Sequence, residues 1–100
     1  MVIVRFKIRC QPGKAEHALA VMNDVIKPSR ALDGVVSFDI GRDIADPDAI
    51  IAVEVFADRA ALDRQEALPE VARVMSVLPD LVAGPPEATL YEVSTSEAHI

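Results

Sequence analysis

Glu54 interrupts an alternating apolar run, AIIAVEVF over residues 49–56, in which Ile50, Ala52, Glu54 and Phe56 point the same way. A carboxylate among such neighbours is costly to bury unless it is hydrogen-bonded or paired, and partial loss of water raises its pKa toward the range of a useful general base. Two roles follow: a structural Glu that binds Arg or backbone N–H groups, or a proton-transferring Glu in a cleft. Gln65 lies in the segment that comes next. Its amide donates and accepts hydrogen bonds but takes no proton near neutral pH, so it suits orienting a carbonyl or phenol and not acting as a base. Glu54 and Gln65 are therefore the candidate catalytic residues. Candidate substrate contacts are Phe6, Met22, Phe56 and Leu62 as apolar walls, with Arg64 and Tyr91 for anion binding or proton relay. Val4, Ile8, Ala52, Leu68 and Met75 are expected to complete the cleft, although the same spacing also serves a plain core.

These residues need elements to position them. VIVRFKIRC, residues 2–10, alternates as a strand, with Val2, Val4, Phe6, Ile8 and Cys10 on one face. Pro12 and Gly13 break it. Ala15, Ala18, Leu19, Met22, Val25 and Ile26 then recur at helical spacing, and Pro28 should kink or end that helix near Lys27, with a last turn through Leu32. Beyond Gly34, VVSFDIGRD reads as a second strand with Val36, Phe38 and Ile40 on one face; ADPD reads as a turn, and a third strand runs from about Ala49 to Ala57. Asp58 is a good N-cap for a helix carrying Ala61, Leu62 and Gln65 on one side. Pro69 starts another helix with Val71, Val74, Met75 and Leu78 inward, and residues 88–95 form the last strand.

The order β-α-β-β-α-β predicts an α+β fold of the ferredoxin-like type, a four-stranded antiparallel sheet with its helices on one face. The strands are apolar on both faces in places. A second copy of the sheet is the simplest cover, so a homodimer is expected.

One hundred residues suffice for one domain, expected over residues 1–100, with 51% hydrophobic and 26% charged residues as in ordinary globular chains. A net charge of −6 argues against nucleic acid as a partner. The single cysteine, Cys10, allows no internal disulfide, and Arg5, Lys7 and Arg9 occupy what would have to be the apolar core of a signal peptide. With no apolar run near membrane-spanning length, a cytoplasmic protein without membrane attachment is expected. The chain has no glycine-rich nucleotide fingerprint or P-loop, and His17, His99 and Cys10 are scattered, so no cofactor and no metal are expected.

QPGKAEHA, SRALDGVVSFDIGRD, ADPDAI, and EVFADRAALDRQ followed by ALPEV together resemble the antibiotic biosynthesis monooxygenase domain, whose members form dimeric α+β barrels. Gly13, Gly34, Glu54, Asp58, Ala61 and Leu62 match the family's usual pattern. Phe56 stands where that pattern has Trp, and Gln65 where it has His. The resemblance implies oxygenation of an electron-rich phenol, anthrone or quinol by dioxygen without metal or flavin, and a small aromatic or quinone-like ligand. The alternatives are a non-catalytic binding or dimerisation module of the same fold, which Phe56 and Gln65 favour, and an isomerase using Glu54 for proton transfer.

Overall fold

The computed structural model describes residues 1–100. Strand β1 (Val2–Arg9) leads to helix α1 (Ala15–Arg30), and the hairpin of β2 (Val35–Asp43) and β3 (Asp46–Phe56) follows. Helices α2 (Arg59–Glu66) and α3 (Pro69–Val77), a single 3₁₀ turn at Leu78–Asp80 and strand β4 (Glu87–Glu92) complete the chain. The strands form one sheet in the order β2-β3-β1-β4, every neighbouring pair antiparallel. This is the ferredoxin-like α+β arrangement that the alternation of periods predicts. No helix is long and apolar enough to cross a membrane.

Directly paired residues share a face of a sheet. Val2, Val4, Phe6 and Ile8 oppose Phe56, Glu54, Ala52 and Ile50 on one side, and Val4 and Phe6 oppose Leu90 and Ala88 on the other. These residues look toward the helices. Ala15, Ala18, Met22, Val25 and Ser29 form the buried stripe of α1 that covers them. The opposite face carries Ile3, Ile51, Val53, Val55 and Tyr91 with no helix over it, leaving Val53 40% and Tyr91 49% exposed.

Several boundaries differ from the sequence reading, each for a local reason. Helix α1 continues through Pro28 to Arg30: the proline removes a single N–H, and the turn after it is still bonded, with the Ala31 N–H donating to the Lys27 carbonyl at 3.2 Å. The consequence is that Ser29 becomes a buried helical residue. The hairpin turns at Ile44 and Ala45 instead of at ADPD, with the Asp43 carboxylate accepting from the Ala45 N–H at 2.8 Å. Pro47 enters β3 because it lies past the Arg9–Ala49 pair, the last that β3 makes with β1. A bulge at Val36 lets Val35 pair with Phe56, so Val36 faces outward and is 60% exposed, while Phe38 and Ile40 stay inside. Strand β4 stops at Glu92, short of 95, because its pairing with β1 ends at Val2.

The turn from β3 into α2 is held at both ends. Gly34, with φ +83°, accepts a hydrogen bond at its carbonyl from the Ala57 N–H at 2.7 Å. A Cβ at Gly34 would sit 2.7 Å from that of Ala61, so α2 approaches this closely only because position 34 is glycine. Asp58 caps α2 as expected, its carboxylate accepting from the Ala61 N–H at 2.9 Å.

Most buried hydrophobic side chains belong to one of two clusters, both of which Val35 packs against. The larger is built around Ile8, Met22, Val25, Phe38, Ile50 and Leu78, and the smaller is Val2, Phe56, Ala61 and Leu62.

Candidate functional site

Between helices and sheet lies a cavity of about 380 Å³, and fourteen of its eighteen lining residues are hydrophobic, the character of a site for an apolar ligand. Its floor is the inner face of the sheet: Val4 and Phe6 from β1, Phe38 and Ile40 from β2, Ala52 and Glu54 from β3, Ala88 and Leu90 from β4. Its roof comes from Met22 and Val25 of α1, Leu62, Gln65 and Glu66 of α2, and Val71, Val74 and Met75 of α3. Met22, Val25, Phe38, Val74 and Leu78 of the larger cluster and Leu62 of the smaller one line it, while Val35, outside the cavity, packs against both clusters. Glu66, Met75 and Leu90 are solvent-exposed and mark its mouth.

Glu54 has an apolar neighbour on every side within the sheet. It pairs with Val4 on β1 and Phe38 on β2, and Ala52 and Phe56 flank it along the same face of β3. The four ion pairs of the chain use Asp46, Asp39, Glu16 and Glu92, and no hydrogen bond reaches the Glu54 side chain. No sealed side-chain oxygen lacks a partner, so the Glu54 carboxylate opens on to the cavity. A structural Glu tied to Arg or backbone N–H groups is not what the fold contains. Burial pushes the Glu54 carboxyl from its ordinary 4.5 up to about 7, and repulsion from the Glu66 carboxylate adds to the rise.

Gln65 is 4% exposed and its Nε2 donates to the Ser29 hydroxyl at 3.1 Å, Ser29 itself being fully buried. These two are the only buried polar side chains of the chain. With Nε2 so engaged, the amide oxygen has no protein partner and meets the cavity, by the same reasoning as for Glu54.

The structure gathers Glu54, Gln65, Phe6, Met22 and Leu62 around one cavity, with Val4, Ala52 and Met75 beside them. Phe56, Arg64 and Tyr91 lie elsewhere. Phe56 is sealed in the smaller cluster, on the right face but beyond the end of the cavity. Arg64 turns outward and donates to the Asp33 carbonyl at 2.8 Å, beside a shallow hollow with Ala31 and Leu32. Tyr91 pairs with Ile3, which puts it on the uncovered face of the sheet. Ile8 and Leu68 likewise do not reach the cavity.

Sequence reasoning missed Glu66, Ser29 and the β2 wall. Glu66 had a readable signal, since it follows Leu62 by four residues and so shares its side of α2. Ser29 had none, because Pro28 hid the helical turn that buries it. No group of three or more His, Cys, Asp or Glu side chains is placed to share a metal ion.

The family model described as antibiotic biosynthesis monooxygenase matches residues 1–76, which include all of β1 to β3, α2 and most of α3. The chain belongs to the antibiotic biosynthesis monooxygenase family. Among relatives of the chain, the uncharacterised protein sll1783 of Synechocystis is 29% identical over 96 residues, covering 96% of this chain and 65% of its own length. The chain thus spans under two thirds of that relative. Rv0793 from Mycobacterium tuberculosis superposes with a TM-score of 0.88 at 22% identity, over 97% of this chain and 98% of its own. A Deinococcus radiodurans structure described as a candidate antibiotic biosynthesis monooxygenase superposes with a TM-score of 0.89 at 22% identity, over 100% of this chain and 99% of its own. At these identities the structural likeness is one of fold.

The raised Glu54 pKa has a consequence for stability. The native state holds this proton more tightly than the unfolded chain, so the contribution of Glu54 to stability is most favourable below pH 4.5, declines as pH rises toward 7, and is level above. The gap between 4.5 and about 7 corresponds to about 3 kcal/mol as an upper bound. Glu54→Gln is therefore expected to be more stable than the unaltered chain at pH 8, by about 1–3 kcal/mol, and nearly equal to it at pH 4. Urea denaturation at the two pH values measures this, and a loss of stability at pH 8 would mean that the carboxylate has a stabilising partner.

Proposed function

We propose that the chain is a cofactor-independent monooxygenase acting on a small phenolic, anthrone or quinol-like substrate. The observation that carries this reading is the unpaired Glu54 carboxylate opening into an apolar cavity. A flat ring system would lie between the sheet and the helices, where Phe6, Phe38, Met22 and Leu62 exclude water. Glu54, ionised, takes the proton of a substrate hydroxyl or an acidic ring C–H. A base near pKa 7 is closer to a phenol near pKa 10 than an ordinary carboxylate is, by roughly the extent of its own shift, and this lowers the cost of the transfer. Protonated Glu54 then donates a hydrogen bond back to the new anion. The Gln65 amide oxygen, fixed through Ser29, accepts from a second substrate hydroxyl and sets the ring's orientation.

The electrons for dioxygen come from the deprotonated substrate. In an anthrone, one oxygen atom remains on the ring carbon as a carbonyl, and the other leaves as water with the two hydrogens that carbon has lost. Family membership and the cavity support this reading. An isomerase would use the same Glu54 proton transfer without consuming oxygen, so oxygen uptake decides between the two.

The working unit in this proposal is a homodimer in which a second copy covers Ile3, Ile51, Val53, Val55 and Tyr91. These residues form an apolar strip along the uncovered sheet face, of the kind that marks an interaction surface.

With anthrones or reduced naphthoquinols, oxygen uptake should exceed the buffer blank and rise with pH through about 7 as Glu54 loses its proton. Glu54→Gln should lower the rate at least about 100-fold. Uptake equal to the blank would overturn the proposal for those substrates. Light scattering at micromolar concentration should give twice the chain mass, and a clean monomer would reject the dimer.

A further inference from the structure

We infer that the cavity selects its ligand by charge: it admits an uncharged ring compound that donates hydrogen bonds and excludes one bearing a carboxylate, sulfonate or phosphate, with Glu66 guarding the mouth. The inference takes the cavity as the ligand site, as the proposed function does, and adds which molecules can enter it.

The polar lining residues are Glu54, Gln65, Glu66 and Thr89. Thr89 pairs with Arg5, so its side chain belongs to the other face of the sheet. One of the two N–H donors of the Gln65 amide is committed to Ser29. The side-chain groups that remain for a ligand are an amide oxygen, one amide N–H and two carboxylates, so acceptors predominate when the carboxyls are ionised. No Arg, Lys, His or Tyr lines the cavity. Arg64 is committed to the Asp33 carbonyl, Arg30 to Asp39 and Phe38, and Arg42 to Glu16, while Arg5 and Arg73, each next to a lining residue in the chain, make no ion pair and do not line the cavity.

An anion entering this space would lose water, meet no cationic side chain and no more than one amide N–H or a protonated Glu54 as a side-chain donor, and stand near charges of its own sign. Each of these opposes binding. An uncharged phenol or hydroquinone has the complementary requirement, since its O–H groups need acceptors and its ring needs apolar walls. Glu66 acts first on an incoming anion because it is exposed at the opening, while Glu54 lies on the floor. A net charge of −6 on the chain adds a field of the same sign at longer range.

The test is equilibrium binding at pH 8 and low salt with two probes of similar shape, 2-naphthol and 2-naphthoate, one uncharged and one anionic. Naphthol should bind at least about tenfold more tightly than naphthoate. In the double variant Glu54→Gln, Glu66→Gln the ratio should fall to about threefold or less, as both like charges are gone. Asp63→Asn, which removes an exposed charge of α2 that does not line the cavity, should leave the ratio unchanged. Naphthoate binding as tightly as naphthol to the unaltered chain would overturn the inference, and that comparison needs no variant to fold. A ratio that persists in the double variant would also overturn it. If neither probe binds, this inference and the proposed function lose their site together. If the ratio holds but quinols drive no oxygen uptake, the proposed reaction fails and charge selection stands.

Discussion

A carboxylate set between a valine and a phenylalanine on the inner face of a sheet gives up water without receiving a cation in return. Glu54 is in that position, between Val4 and Phe38, and the surrounding structure is arranged around the consequence. Apolar side chains cannot close over an ionised group without large cost, so the core stops on either side of it. The cluster around Ile8, Met22 and Phe38 and the cluster around Phe56, Ala61 and Leu62 meet through Val35, and open volume lies beside Glu54. An apolar residue at position 54 would remove the reason for that gap. The raised pKa and the open volume thus meet at one position, where a carboxyl stands on the inner face of the sheet.

Holding such a gap open requires walls that do not collapse into it. The sheet supplies the floor through three strands bonded on both sides of the Glu54 position. The roof depends on the turn from β3 into α2, where Gly34, the Ala57 N–H and the Asp58 cap bring α2 close to the start of β2. The Ser29–Gln65 hydrogen bond then joins α1 to α2 across the buried end of the cavity. Buried, neutral and paired with each other, these side chains add rigidity where a purely apolar contact would allow sliding. The same bond leaves the Gln65 oxygen facing inward, so one interaction both braces the roof and sets the polarity of the site.

Much of this was legible in the amino-acid sequence, and what was not has definite causes. Alternation around Ile50, Ala52 and Phe56 revealed that Glu54 faces the helices, and Asp58 announced the helix that delivers Gln65. Phe56 and Tyr91 show the limits of periodicity. It assigns a face only when register is known, and it does not tell where along a face a cavity ends. Tyr91 fell on the uncovered side because the register of β4 pairs it with Ile3, which itself faces away from the helices. Val36 turned outward because a bulge shifts the alternation by one residue, which composition does not signal. Ser29 was hidden for a related reason: Pro28 reads as a helix end, and only the hydrogen bonds of the last turn show that the helix runs past it.

The central claim is that Glu54 is a carboxyl without a protein partner, largely withdrawn from water and repelled by Glu66. A carbon NMR titration of the Glu54 side-chain carboxyl measures that state directly. The account predicts a midpoint near 7 in the unaltered chain. In Glu66→Gln the midpoint should move down but stay above the ordinary 4.5, because burial is the larger cause. A midpoint at or below 4.5 would show a solvated or paired carboxylate and contradict the account.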